Sequence, residues 1–270
     1  MIRGIPNIMV ARTHSPVMIW DISTASYDGI SYDPSLPAGF AQGIYLRADG
    51  IKLYIVNDAG KVYQYTLGTA FNISTATYDT VTFDASAQVI NSSGLWFSAD
   101  GKKLYLADQI TNQKFYQYPL STAWDLSTAG ASTGEFAHGE YTIQFLMSPD
   151  GTRLISNIYS TINYYTMSVP FDITTLTYVS QQSFSGDDPD SFAVWMSGDG
   201  KKLYHGGALE TIWQYSLSTP WDSSTESYDS KLKDVSAQVL TIINFIIVGS
   251  KLYVLRASGA DDIFQYSITE

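Results

Sequence analysis

Apolar residues along the chain gather in short runs broken by Gly, Asp, Ser and Thr. Gly94-Leu-Trp-Phe-Ser98 and Lys103-Leu-Tyr-Leu-Ala107 show the form, two apolar stretches with Asp100-Gly101 between them. Runs of this kind, bounded by turn residues, read as β-strands. A 3.6-residue apolar period is sustained nowhere, so helix content is expected to be low. Asp-Gly between two such strands predicts a tight hairpin with a two-residue type I′ turn, which needs positive φ at both central positions. The most apolar stretch, Val239 to Val248, has about half of the ~20 residues a membrane-crossing helix needs and reads as a buried strand.

The hairpin recurs. Arg47-Ala-Asp-Gly-Ile-Lys-Leu-Tyr54 returns as Ser98 to Tyr105, Ser148 to Ile155, Ser197 to Tyr204 and, shortened, Val248 to Tyr253. The glycines Gly50, Gly101, Gly151, Gly200 and Gly249 are spaced by 51, 50, 49 and 49 residues. A second element follows each: Val62-Tyr-Gln-Tyr65, Phe115-Tyr-Gln-Tyr118, Ile162-Asn-Tyr-Tyr165, Ile212-Trp-Gln-Tyr215 and Ile263-Phe-Gln-Tyr266. A third is an aromatic followed by Asp or Asn and a Ser/Thr pair, at Phe71, Trp124, Phe171, Trp221 and Trp20. The last copy stands at the opposite end of the chain, and Glu270 follows closely where the next one is due. A period of about 50 residues is that of propeller-type repeats, and an N-terminal segment that completes the last unit closes the ring without an open sheet edge.

The expected fold is therefore all-β, a five-bladed β-propeller whose last blade is closed by the N-terminal strand. Residues 16–270 would form it and residues 1–15 an N-terminal extension or arm, in which Ile8-Met-Val10 offers an extra strand or attachment point. A six-bladed ring is the alternative, with Ile8–Arg12 and Val17–Trp20 as strands of a degenerate blade. Each blade would run from an inner channel strand through the Asp-Gly turn and the Tyr-Gln-Tyr strand. The turn at the aromatic–Asp pair then leads to an outer strand, which begins at Tyr27, Tyr78, Tyr178 or Tyr228, with Ala131 as the exception.

Charge narrows the function. Fifteen Lys and Arg against 26 Asp and Glu leave a net charge of −11, which argues against a nucleic-acid partner because phosphate contacts need a basic face. With no cysteine, disulfides, thiolate catalysis and Cys-ligated metal sites are excluded. The first residues have neither a long apolar core nor a small-residue cleavage pattern, so no secretory signal is expected, and no membrane insertion.

The inner strands, Phe40–Arg47, Gly94–Ser98, Thr142–Ser148, Ser191–Ser197 and Thr241–Val248, carry Arg47 as their only charge. Glycoside hydrolysis needs two converging carboxylates, and these strands offer none. Gly130-Ala-Ser-Thr-Gly134 matches a nucleophile elbow by letter but lies in an outer-strand region rather than a strand-to-helix turn. His14, His138 and His205 show no metal-ligand spacing, and Asp187-Asp-Pro-Asp190 reads as a solvated acidic loop rather than a calcium loop. No metal or cofactor is expected. The repeated aromatics at Trp20, Phe71, Trp124, Phe171 and Trp221 suit packing between blades. Gln64, Gln117, Gln214 and Gln265 suit a repeating side-chain bond from blade to blade. That leaves Tyr45, Trp96 and Trp195 as candidate ligand-binding residues, at one inner-strand position that reads Leu146 and Asn244 in the other two units. Aromatic faces at a channel mouth could stack on sugar rings, though core packing is the commoner use of tryptophan.

The combination of Asp199-Gly-Lys-Lys-Leu-Tyr204, Trp213-Gln-Tyr-Ser-Leu217 and Ser218-Thr-Pro-Trp-Asp-Ser-Ser-Thr225 resembles propeller repeats of bacteriophage virion proteins and of surface proteins of environmental bacteria. The resemblance covers nearly the whole chain from Pro16, on scaffold positions. It implies a non-enzymatic virion protein, a receptor-binding propeller of the tail tip or fibre or a capsid decoration, assembled in the host cytoplasm. Its partners would be other virion proteins or a host-surface glycan. Alternatives are a lectin-like carbohydrate-binding propeller, extracellular or on a cell surface, and a polysaccharide-active enzyme.

Overall fold

The computed structural model describes residues 20–36, 39–183, 190–256 and 262–269. The first strand among the described residues is β1 (Ser26–Tyr32), after which the chain builds four-stranded antiparallel sheets in turn. The first contains β2 (Ala41–Leu46), β3 (Lys52–Asn57), β4 (Lys61–Leu67) and β5 (Ala76–Asp84). The second contains β6 (Ser92–Phe97), β7 (Lys103–Asp108), β8 (Lys114–Pro119) and β9 (Gly134–Ala137). The third has β10 (Gln144–Met147), β11 (Arg153–Ile158), β12 (Thr161–Met167) and β13 (Leu176–Ser183). The fourth has β14 (Ser191–Met196), β15 (Lys202–Gly207), β16 (Thr211–Leu217) and β17 (Glu226–Asp234). The fifth has β18 (Ile242–Val248), β19 (Lys251–Arg256) and β20 (Ile263–Ser267), and its outer strand is β1, paired through Ser26 with Ser267 and Tyr27 with Tyr266. The ring is thus five-bladed and closed by the N-terminal strand. The segments Ile8–Arg12 and Val17–Ile19 that a sixth blade or an arm would use, and His14, lie outside the described residues.

The middle strands are buried on both faces, as β3, β7 and β19 show. Alternation reappears in outer strands such as β5 and β17, because one of their faces is more open to solvent than the other. Helix is confined, among the described residues, to single 3-10 turns such as Ile73–Thr75. Each is capped by the Asp or Asn of the aromatic pair. Asn72 Oδ1 accepts Ser74 N–H at 3.1 Å, while Thr75 Oγ1 donates back to Asn72 O at 2.7 Å, a local bond that favours a turn over continued strand.

The hairpin turn differs from the expected type. Arg47 N–H donates to Lys52 O at 2.9 Å and Gly50 N–H to Arg47 O at 2.7 Å, enclosing a loop over residues 48–51. Gly50 has φ of 73° and Asp49 is not in the left-handed region, so this is no type I′ turn. The Asp49 carboxylate instead accepts Ile51 N–H at 3.1 Å and braces the loop. Glycine is needed for a second reason. The Phe71 ring lies on it, so that a Cβ would stand 2.5 Å from Phe71 Cδ1, and Phe71 N–H donates to Gly50 O at 2.9 Å. Trp124, Phe171 and Trp221 seat on Gly101, Gly151 and Gly200 in the same way. All four aromatics take positive φ, between 59° and 66°, a conformation that costs a non-glycine residue about 1 kcal/mol and is held here by that packing.

The blades are tied to one another by two repeated bonds. The first is the expected glutamine bond: Gln64 Oε1 accepts Leu126 N–H at 3.0 Å, and Gln117, Gln214 and Gln265 accept from Ile173, Ile22 and Ile73. In the second, the buried tyrosine of the second strand donates to the carbonyl of the next blade's aromatic. Tyr54 reaches Trp124 O at 2.6 Å, and Tyr105, Tyr204 and Tyr253 reach Phe171, Trp20 and Phe71.

Candidate functional site

The inner strands end at the Asp-Gly loops, and at this rim the channel opens into an apolar cavity of about 500 Å³. Tyr45, Trp96 and Trp195 meet there. Tyr45 stands edge-on to Trp96 with ring centres 5.3 Å apart, and Trp96 reaches across from the second blade to Trp195 of the fourth at 5.7 Å. Tyr45 also stacks at 22° on Trp124. All three are half-buried, so they are neither plain core nor free surface. They line the cavity together with Met147, Pro149 and Ile246.

One equivalence is corrected by the structure. Tyr45, Trp96, Leu146 and Trp195 pair with Tyr54, Tyr105, Ile155 and Tyr204. In the fifth blade the residue paired with Tyr253 is Ile246, not Asn244. Counting back from Gly249 misleads because Val248 pairs directly with Lys251, which shortens that loop to Gly249 and Ser250. Asn244 lies deeper and is buried.

The mouth carries little charge. Arg47 stands beside it, its guanidinium 6.0 Å from the Trp124 ring centre and ion-paired at 2.5 Å with Asp49. That pairing holds the Asp49 carboxyl below its ordinary range. The other loop aspartates are tied into their own turns, as where Ser98 Oγ donates to Asp100 at 2.7 Å and Ser197 Oγ to Asp199 at 2.6 Å. Burial pushes the Tyr45 phenol well above its ordinary pKa, so it stays a neutral donor. Such a surface can hold an apolar or sugar face and offer it hydroxyl and indole donors. None of its lining residues is a carboxylate or histidine placed to move a proton.

The remaining candidates do not converge. His205 is fully buried against Trp213 and Tyr215. His138 Nδ1 lies 3.2 Å from Thr142 Oγ1. Burial pulls their pKa values down to about 3 and about 4, so both stay neutral. Ser132 donates to Gly134 O at 3.1 Å within its own segment, as a chance match to the nucleophile motif would. Among the described residues no cluster of His, Asp and Glu could hold a metal ion. Asp187 and Asp188 lie outside the described residues.

A repeated polar network escaped sequence reasoning. In the first blade Asp79 accepts from Lys52 at 2.7 Å, Thr66 at 2.7 Å and Gln64 at 2.8 Å. Asp229 with Lys202, Ser216 and Gln214, and Asp28 with Lys251, Ser267 and Gln265, repeat it. Burial alone would raise these carboxyls, but the donated hydrogen bonds outweigh it and hold them below the ordinary 3.8. The signal was present as an Asp after Tyr27, Tyr78 and Tyr228, but the partners lie far apart along the chain.

The blade count, closure and channel define the protein as a closed five-bladed β-propeller. No family model matches the chain and no curated protein is similar to it. Among solved structures it is similar to the β-propeller domain of Cps50 (Swd1) from Myceliophteria thermophila, at 14% identity and a TM-score of 0.47 over 84% of this chain. The chain spans 65% of that protein's length. No helix among the described residues is long and apolar enough to cross a membrane.

Proposed function

We propose that the protein is a non-catalytic recognition propeller of a bacteriophage particle that binds a host-surface glycan at the channel mouth. The observation that carries the binding role is the half-buried triad of Tyr45, Trp96 and Trp195 lining an open apolar cavity. Aromatic rings with one polar handle suit ligands that are apolar on one face and polar at the edge. Placement in a virion rests on the resemblance of the repeats. The enzyme reading has no support in the lining of the mouth, which lacks the carboxylate pair that polysaccharide hydrolysis uses.

The test is binding of the labelled protein to candidate host cells, with and without competing surface polysaccharide. Saturable binding, competed by the polysaccharide and lost in Trp195→Leu while the fold is retained, is the expected result. Binding unaffected by Trp195→Leu and Tyr45→Phe together, or release of sugar by the purified protein, would overturn this reading. Mass spectrometry of purified particles checks the virion placement separately.

A further inference from the structure

The third blade breaks the polar network in one informative way. Its Lys position is Arg153 and its Thr position is Thr166, paired across the strands as Lys52 and Thr66 are. The two other members are gone. Tyr164 stands where Gln64 stands and uses its hydroxyl to accept Ser223 N–H at 2.9 Å, and Val179 follows Tyr178 where Asp79 follows Tyr78. The outer strand changes with it. In β17 two residues, Asp229 and Ser230, bulge between the pairs Tyr215–Tyr228 and Gln214–Lys231, with Ser230 at φ of 56°. In β13 only Val179 bulges, between Tyr165–Tyr178 and Tyr164–Ser180. The shorter bulge leaves Val179 exposed at 57%.

The blade has therefore kept the cation and lost its acid. Arg153 is exposed, and the ion pairs found among the described residues do not include it. It stands in a cleft of about 310 Å³ between the third and fourth blades, walled by Ser180 and Gln181 on one side and Thr219 and Ser224 on the other. Asp150 feels the Arg153 charge without an ion pair to it and takes its hydrogen bonds from Ser148 and Thr152, and Asp222 in the cleft takes Ser224 N–H and Oγ.

We propose that this cleft is a binding site for a carbohydrate that carries a single carboxylate. Arg153 takes the carboxylate, a fork-shaped donor matched to its geometry, and the hydroxyls and amide of the two walls take the sugar hydroxyls. A cation outside the ion pairs found among the described residues, in a chain of net charge −11, suits an isolated carboxylate and disfavours densely charged polymers, which the surrounding field repels. The volume is at the low end for small-ligand sites and fits one or two sugar rings. The site is separate from the mouth and does not rest on it.

The experiment is ligand-observed NMR and calorimetry with cellobiouronic acid, and with cellobiose as its neutral parent. The acid is expected to bind about tenfold or more tightly than cellobiose, from one charge-assisted contact, and to weaken as salt rises. Arg153→Gln removes that preference. Val179→Asp, which supplies the missing acid and leaves Arg153 in place, removes it too. Equal binding of the two sugars, no binding of either, or indifference to both substitutions overturns the proposal. Selective binding of a short Glu peptide in place of the sugar overturns it as well. Loss of cellobiouronic acid binding in Trp195→Leu would move the sugar to the mouth and refute the cleft alone, whereas loss of cell binding with cellobiouronic acid binding intact would refute the mouth alone.

Discussion

The fourth and third blades share one strand order and one set of turns, yet they treat their outer edges in opposite ways. In the fourth, Lys202, Gln214, Ser216 and Asp229 satisfy one another, and Tyr204 donates to Trp20 O at 3.0 Å. In the third, Val179 stands where Arg153 would meet the network's carboxylate, and Ile155 replaces the donating tyrosine. Neighbour contacts persist through Tyr164, so the ring tolerates the change. Closure distributes the task of holding the blades over many repeated bonds, which leaves single units free to diverge, as the second also does where Lys103 donates to Phe171 O instead of an acid.

Acid is expected to act most strongly, and to act on the regular blades. The carboxyls of Asp28, Asp79 and Asp229 lie below 3.8 in the fold, so their contribution is present above pH 4 and lost as pH falls through their folded values. His138 and His205, at about 4 and about 3 against an ordinary 6.5, stay neutral in the fold while the unfolded chain takes up protons. Stability should therefore decline from about pH 6.5 and steepen below about pH 4, read from urea midpoints across that range. A flat profile between pH 7 and 5 would contradict the buried neutral histidines.

Gly50→Ala comes next, at about 3 kcal/mol, since the added carbon meets the Phe71 ring and the backbone is left-handed there. Gly139, also at positive φ but with open space around its Cβ position, should lose about 1 kcal/mol in the same substitution. Asp229→Ala strands Lys202 and should cost about 2 kcal/mol in denaturant unfolding, while the matching change in the third blade, Val179→Ala, should stay within about 0.5 kcal/mol. A cost for Val179→Ala equal to that of Asp229→Ala would erase the contrast between the blades. Tyr204→Phe should remove about 1 kcal/mol, that of one hydrogen bond between blades.

Repetition along the chain was enough to determine the blade number, the closing strand and the bonding role of the glutamines, because a unit that cannot bury its faces alone must stack on copies of itself. The turn at the aromatic–Asp pair was legible for a local reason, its side chain meeting backbone only two residues away. The form of the Asp-Gly loop was not, since Phe71 settles it from a position 21 residues beyond Gly50. Equating Asn244 with Tyr45 failed where two residues were missing from a turn, as letter spacing and strand register part company at any deletion. Tyr45, Trp96 and Trp195 could be picked out from the sequence, but only the ring brings blades two and four close enough for their indoles to touch. The cleft at Arg153 is a tertiary outcome altogether: it exists because an acid is missing from a neighbouring strand, and the absence of a partner shows only when the strands are side by side.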